Sequence, residues 1–171
     1  MHNKYLAGIL TVAGLLAAST TQAAPLMSAD WATKACESFN SNPILTTELG
    51  EKWIKNNGGR GFKIIHMYRT DCGDKVKVEM KIVQQGAKAF CAYGGKVMHT
   101  NMNDDMDYVM HAETKRWHEM GAGEYGPMRA MMFGRLKFEG PKGEAMSVMG
   151  PFEQFLLLPG KVPGEAACPS N

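Results

Sequence analysis

The spacing of apolar positions changes several times along the chain, and each change marks an element. The run from Asp30 to Asn40 repeats its apolar residues at helical spacing, predicting a helix capped at Asp30 that ends in NSNP. ILTTELGEKWIKN sets Ile44, Leu45, Leu49, Trp53 and Ile54 on one face of a second helix. The glycine cluster NNGGRG, Asn56 to Gly61, ends it. Three strands follow. FKIIHMYRT is β-branched and aromatic and turns at CGD; KVKVEMKIV alternates strictly; QQGAK then turns into AFCAYGGKV. In the second strand Val76, Val78, Met80 and Ile82 share one face, and Lys75, Lys77, Glu79 and Lys81 the other. This is an antiparallel meander with one wet face, so helices must cover the other.

After residue 98 the pattern shifts. HTNMNDDMD reads as a solvated acidic loop, DYVMHAE as a fourth strand, and TKRWHEMGAGEYG as a short helix ending in glycines. Pro127 opens another helix, PMRAMMFG, at the position where its missing N–H costs nothing. RLKFEG alternates as a fifth strand. PKGEAMSVMG is helical up to Gly150, and PFEQFLLL resumes until Pro159 and Gly160 break it. VPGEAACPSN closes the chain as an extended tail, pinned by Cys168.

The first residues stand apart. Lys4 precedes an apolar run from Leu6 to Ala18, followed by small residues at Thr21, Ala23 and Ala24. That order is a secretory signal, too short for the ~20 residues of a membrane span, and cleavage is expected after Ala23. Residues 24–171 then form one domain, periplasmic or secreted. Cys36, Cys72, Cys91 and Cys168 fit an oxidising compartment and predict two disulfides. Cys72 is at the first hairpin turn and Cys91 near the start of the third strand, at opposite ends of the meander. Geometry therefore disfavours Cys72–Cys91, and with it Cys36–Cys168. Cys36–Cys91 with Cys72–Cys168, and Cys36–Cys72 with Cys91–Cys168, both remain.

Composition removes functions more readily than it assigns one. Nineteen Lys+Arg against 17 Asp+Glu give a net charge of +2, which offers no footprint for nucleic acid. NNGGRG lacks the Lys-Ser/Thr of a phosphate-binding loop. Counted from Asn101 as a calcium loop, Met106 stands where glycine is required and Ala112 where a bidentate Glu is required. There is no C-x-x-C, H-E-x-x-H or G-x-S-x-G. No cofactor, metal or catalytic residue is expected. His66, His111 and His118 are the residues an enzyme reading would test.

Methionine is the informative residue. Ten of the 14 lie from Met98 onward, among Trp117, Tyr125, Phe133, Phe138, Phe152 and Phe155. Unbranched and polarisable, Met fills irregular space and suits walls that fit varied apolar ligands. From Trp117 to Gly160 the chain resembles the second half of the sterol carrier protein type 2 (SCP2) domain family. The resemblance rests on the acidic glycine turn GAGEYG, the helix PMRAMMFG ending at Gly134, the strand RLKFEG ending at Gly140, and the amphipathic segment Met146 to Leu158.

That resemblance implies an α+β fold: a five-stranded mixed, mainly antiparallel sheet, covered by helices around an apolar tunnel. It implies a hydrophobic ligand, such as a sterol, fatty acid or phospholipid, with transient membrane contact. The implied tunnel wall is Trp117, Met120, Met128, Met131, Met132, Phe133, Leu136, Phe138, Met146, Met149, Phe152, Phe155 and Leu156. Export and four cysteines depart from the usual intracellular members and argue against acyl-CoA. The expected function is an exported lipid-binding protein that moves its ligand between membranes, without catalysis. The alternative is an interaction or dimerisation module with a filled core; the oligomeric state stays open.

Overall fold

Ser28 starts the first helix in the computed structural model, which describes residues 23–170. The leader expectation lies on residues outside the described ones, apart from the cleavage site beside Ala23. The Ser28 hydroxyl accepts the N–H of Trp31, so the cap falls two residues before Asp30, which instead becomes the acidic residue of the first turn. This helix, α1 (Ala29–Asn40), buries Trp31, Ala32, Ala35, Cys36 and Phe39.

The second predicted helix is broken. Leu45, Leu49, Trp53 and Ile54 are buried as the pattern requires, but through a π-helical turn, Ile44–Glu48, and a short α2 (Leu49–Glu51). Gly50 is where this segment meets the hairpin turn at Ala87. A Cβ there would stand 2.1 Å from the Ala87 carbonyl oxygen, so the hairpin packs directly on the backbone. NNGGRG then turns the chain, with Gly58, Gly59 and Gly61 at positive φ.

The strands are β1 (Phe62–Arg69), β2 (Val78–Gln85), β3 (Lys88–Lys96), β4 (Tyr108–Ala112) and β5 (Lys137–Glu139), in the order β3-β2-β1-β4-β5. β1 and β4 run parallel and the other pairs antiparallel. This is the expected α+β mixed sheet. β2 starts later than its alternation suggests, because Asp74–Val76 forms a 3₁₀ turn. Val78, Met80 and Ile82 face inward and are buried.

The opposite face is not simply wet. β4 pairs with β1 rather than β3, so the β3–β4 connection must travel back past β2 and β1. It covers Glu79, which is fully buried and accepts the N–H groups of Met98 (3.0 Å) and His99 (2.8 Å). Asp107, at the end of the acidic loop, is likewise buried rather than solvated. It takes both arms of Arg60 (3.0 and 2.7 Å) and the N–H groups of Ile64 and Asn103. Burial pushes its carboxyl up, but these bonds outweigh burial and hold it below the usual range.

The remaining helices are α3 (Thr114–Gly121), α4 (Pro127–Met132), α5 (Lys142–Ser147), α6 (Met149–Leu156) and α7 (Leu158–Lys161). Pro127 is in the first turn of α4, as expected. Gly150 does not stop a helix, since it and Pro151 lie in the first turn of α6, where an absent N–H is harmless. Pro159 sits inside α7 for the same reason, followed by Gly160, whose N–H donates to the Leu157 carbonyl. Gly160 is also needed there: a Cβ would stand 2.1 Å from the Gly121 carbonyl oxygen.

Two disulfides close the structure, Cys36–Cys91 and Cys72–Cys168. They are one of the two arrangements that meander geometry leaves open. The first fastens α1 to β3. The second pins the tail, whose carbonyls at Glu165, Ala166 and Ala167 accept from the buried Arg69 guanidinium.

Candidate ligand-binding site

An apolar cavity lies between sheet and helices, and strand register builds its floor. Ile65 is opposite Tyr108 and Met67 opposite Met110 in the parallel pair, while Met110 is opposite Phe138 in the next. Ile65, Tyr108, Met110 and Phe138 thus lie side by side beneath the helices. The roof is Leu49, Trp53, Ala145 of α5, Val148, and Pro151, Phe152 and Phe155 of α6. Aromatic rings run across it: Trp53 stacks on Tyr108 at 5.7 Å, Tyr108 meets Phe138 at 5.3 Å, and Phe138 meets Phe152 at 5.5 Å. The void is about 40 Å³. Pockets for drug-sized ligands begin near ~300 Å³, so a sterol or acyl chain enters only if roof and floor part.

Behind two of the lining rings is a buried charge. Lys63 is 0% exposed. Its ammonium donates to Glu144 Oε2 of α5 (2.5 Å) and to the Trp53 carbonyl (3.2 Å). It also sits over the Trp53 and Tyr108 rings, 4.6 and 5.3 Å from their centroids. The Tyr108 hydroxyl donates to the same Glu144 oxygen and accepts from Trp53 Nε1 at 3.0 Å. Burial lowers the Lys63 pKa against the pull of Glu144. Burial and then the Glu144 carboxylate push the Tyr108 phenol far above its ordinary value, so it stays a donor.

Of the wall residues expected from sequence, Phe138, Phe152 and Phe155 line this cavity. Trp117, Met120, Leu136 and Leu156 are buried elsewhere in the core, and Met131 and Met149 pack against it, partly buried. Met128 and Met146 are about half exposed, and Met132 and Phe133 project at 73% and 68%. Sequence reasoning missed Leu49, Trp53, Ile65, Tyr108, Met110, Ala145, Val148 and Pro151. It also passed over Lys63, whose signal was present: period two puts this charge on the face of Ile65 and Met67.

The histidines lie away from the cavity. His66 is buried on the other face against Glu79, His111 stacks on Tyr68 at 4.5 Å, and His118 is exposed. Among the described residues, no group of three or more His, Cys, Asp and Glu is placed to hold a metal ion. Nor is any helix among them long and apolar enough to cross a membrane.

The family model of the SCP-2 sterol transfer family matches residues 72–153. A search of curated protein sequences finds no match. A crystal structure of sterol carrier protein 2 aligns with a TM-score of 0.55 at 17% identity, over 80% of this chain and 98% of that one. A conserved hypothetical protein from Thermus thermophilus aligns with a TM-score of 0.49 at 18% identity, covering 86% of this chain and 96% of its own. Sterol carrier protein 2 from Yarrowia lipolytica, in apo form, gives 0.41 at 14% identity, over 77% and 89%. Sequence model and fold agree: residues 72–153 carry the SCP-2 sterol transfer family match, within a chain built on the sterol carrier protein 2 plan.

Proposed function

We propose that this chain is an exported carrier that holds a sterol, fatty acid or similar hydrophobic ligand between the sheet floor and the α5–α6 roof. The observation that carries this reading is the apolar cavity, lined throughout by apolar and aromatic side chains, in a fold of the sterol carrier protein 2 type. Burial of an acyl chain at ~0.8 kcal/mol per CH₂ supplies the affinity, and no residue has to do chemistry. The leader and the two disulfides support export to an oxidising space, periplasmic or extracellular. Exposed Met132 and Phe133, beside Arg129, Arg135 and Lys137, support transient contact with a membrane during transfer.

Native mass spectrometry of the oxidised protein, followed by organic extraction, tests the reading. A reproducible excess mass that extracts as lipid is expected. A bare mass that stays bare after incubation with cholesterol, palmitate and phospholipid vesicles overturns it. The small void favours a second reading, an interaction or dimerisation module with a filled core. That module predicts self-association or partner capture without lipid, and a concentration-independent monomer in gel filtration counts against self-association.

A further inference from the structure

Resting on the carrier reading, we propose that Lys63 is the head-group site for an amphiphile with a single carboxylate, and that Glu144 occupies this site until the ligand arrives. Trp53 and Tyr108 belong to both regions. Their rings line the apolar cavity, while the Trp53 carbonyl, the Trp53 indole N–H and the Tyr108 hydroxyl belong to the Lys63–Glu144 cluster. The polar cluster therefore adjoins the apolar space behind these two rings, and a head group reaches it when the roof parts from the floor.

Charge sets the ligand class. An ammonium with no exposed surface needs an anion or a full set of acceptors. Here Lys63 and Tyr108 converge on one carboxylate oxygen, Glu144 Oε2. A ligand carboxylate reproduces that oxygen and its charge. A sterol hydroxyl or fatty alcohol offers only a neutral acceptor and leaves the buried cation without its counter-ion.

The position of Glu144 couples this exchange to opening. It stands on α5, a six-residue helix between Pro141 and Val148, next to Ala145 of the roof. Parting the roof from the floor withdraws Glu144 and Ala145 together. The same movement makes room for a chain and frees the cation. Glu144 is already 15% exposed, so it reaches water at small cost once released.

Equilibrium binding of palmitate and hexadecanol to the delipidated full-length mature protein tests the proposal, because the two differ in head group and share chain length. Wild type should bind palmitate about tenfold or more tighter than hexadecanol, the scale of one charge-assisted hydrogen bond. Glu144→Gln should strengthen binding of both chains, since either must part residue 144 from Lys63 to enter and a neutral amide holds Lys63 less, and should keep the palmitate preference. Lys63→Met should bring the two affinities together. Equal affinities in wild type, or an undiminished palmitate preference in Lys63→Met, would overturn the head-group site while leaving the carrier reading intact. If Lys63→Met fails to fold, wild type and Glu144→Gln decide alone. Failure of palmitate, hexadecanol and cholesterol all to bind overturns both.

Discussion

Lys63 and Glu144 meet at 2.5 Å across a sequence separation of 81 residues, joining the middle strand of the sheet to a helix of the roof. β1 is central in the strand order, so this contact ties α5 to the most interior part of the fold. Among the described residues around the cavity, it is also where a full charge approaches the lining.

Breaking that pair from the lysine side should be costly. Lys63→Ala removes both the cation and the stem that packs on two rings, and should lose about 3–5 kcal/mol. Lys63→Met keeps the stem and should lose less. Urea unfolding of Lys63→Met, Glu144→Gln and the double variant should give a coupling energy of about 1–3 kcal/mol. Strict additivity would mean that the contact contributes nothing to stability.

The roof is held by aromatic packing. Phe155→Ala should destabilise by about 3–5 kcal/mol through lost transfer energy and an enlarged void, with an unchanged urea m-value. A loss below about 1 kcal/mol would place Phe155 outside the packed core, contrary to its 5% exposure.

Two glycines should respond in opposite directions to the same substitution. A Cβ on Gly94 would stand 2.1 Å from the Ala32 carbonyl oxygen, where α1 crosses β3, so Gly94→Ala should cost about 1–3 kcal/mol. Gly143 lies in α5 with open space around it, and Gly143→Ala should stabilise by up to about 1 kcal/mol. Thermal melts of both variants distinguish steric contact from helix propensity.

Non-reducing peptide mapping should recover Cys36–Cys91 and Cys72–Cys168, spanning 55 and 96 residues. Removing the second with Cys72→Ser and Cys168→Ser should cost about 2–5 kcal/mol and expose the tail to proteases. Arg69 still holds three tail carbonyls in that variant, so the fold should survive. Recovery of Cys36–Cys72 peptides would contradict the pairing.

Acid should weaken the fold in two stages. Burial lowers the pKa of His66 against the opposing pull of Glu79, and burial also lowers that of His111. The unfolded chain therefore takes up these protons first, and stability falls as pH drops below the ordinary histidine value of about 6.5. Burial pushes Glu79 up, but hydrogen bonds from His99, Met98 and His66 outweigh it and hold its pKa down. Its contribution is present above the ordinary carboxylate pKa of about 4 and is lost as pH falls through the lower folded value. Urea midpoints should be flat above pH 7, decline below about 6.5 and decline again below about 4. His66→Gln should shrink the first decline and, because His66 also bonds Glu79, alter the second only slightly; an unchanged first decline would refute this assignment.

Local pattern reached the elements and stopped at their arrangement. Alternation assigned Val78, Met80 and Ile82 to the buried face, and apolar spacing marked α1, α3 and α4. Turn residues bounded the strands, and an even number of cysteines, four, announced two disulfides. The glycine-punctuated pattern from Trp117 to Gly160 carried the resemblance that the family match and the fold support. Glu79 was misread as wet because strand periodicity describes a face and says nothing of what later crosses it.

What the sequence determined by itself is therefore what nearest neighbours along the chain enforce, periodicity and turns, with the class of fold carried by the resemblance. Tertiary structure decided the rest. Met132 and Phe133, in the wall that the resemblance implies, project outward, while Trp53, Tyr108 and Ala145, from three distant segments, meet at the cavity. The partner of Lys63, the choice of Cys36–Cys91 over Cys36–Cys72, and the burial of Glu79 all depend on strand order and register. The physical reason is range: side-chain spacing is fixed by backbone geometry within a few residues, whereas contacts are fixed by packing between segments that spacing alone does not relate.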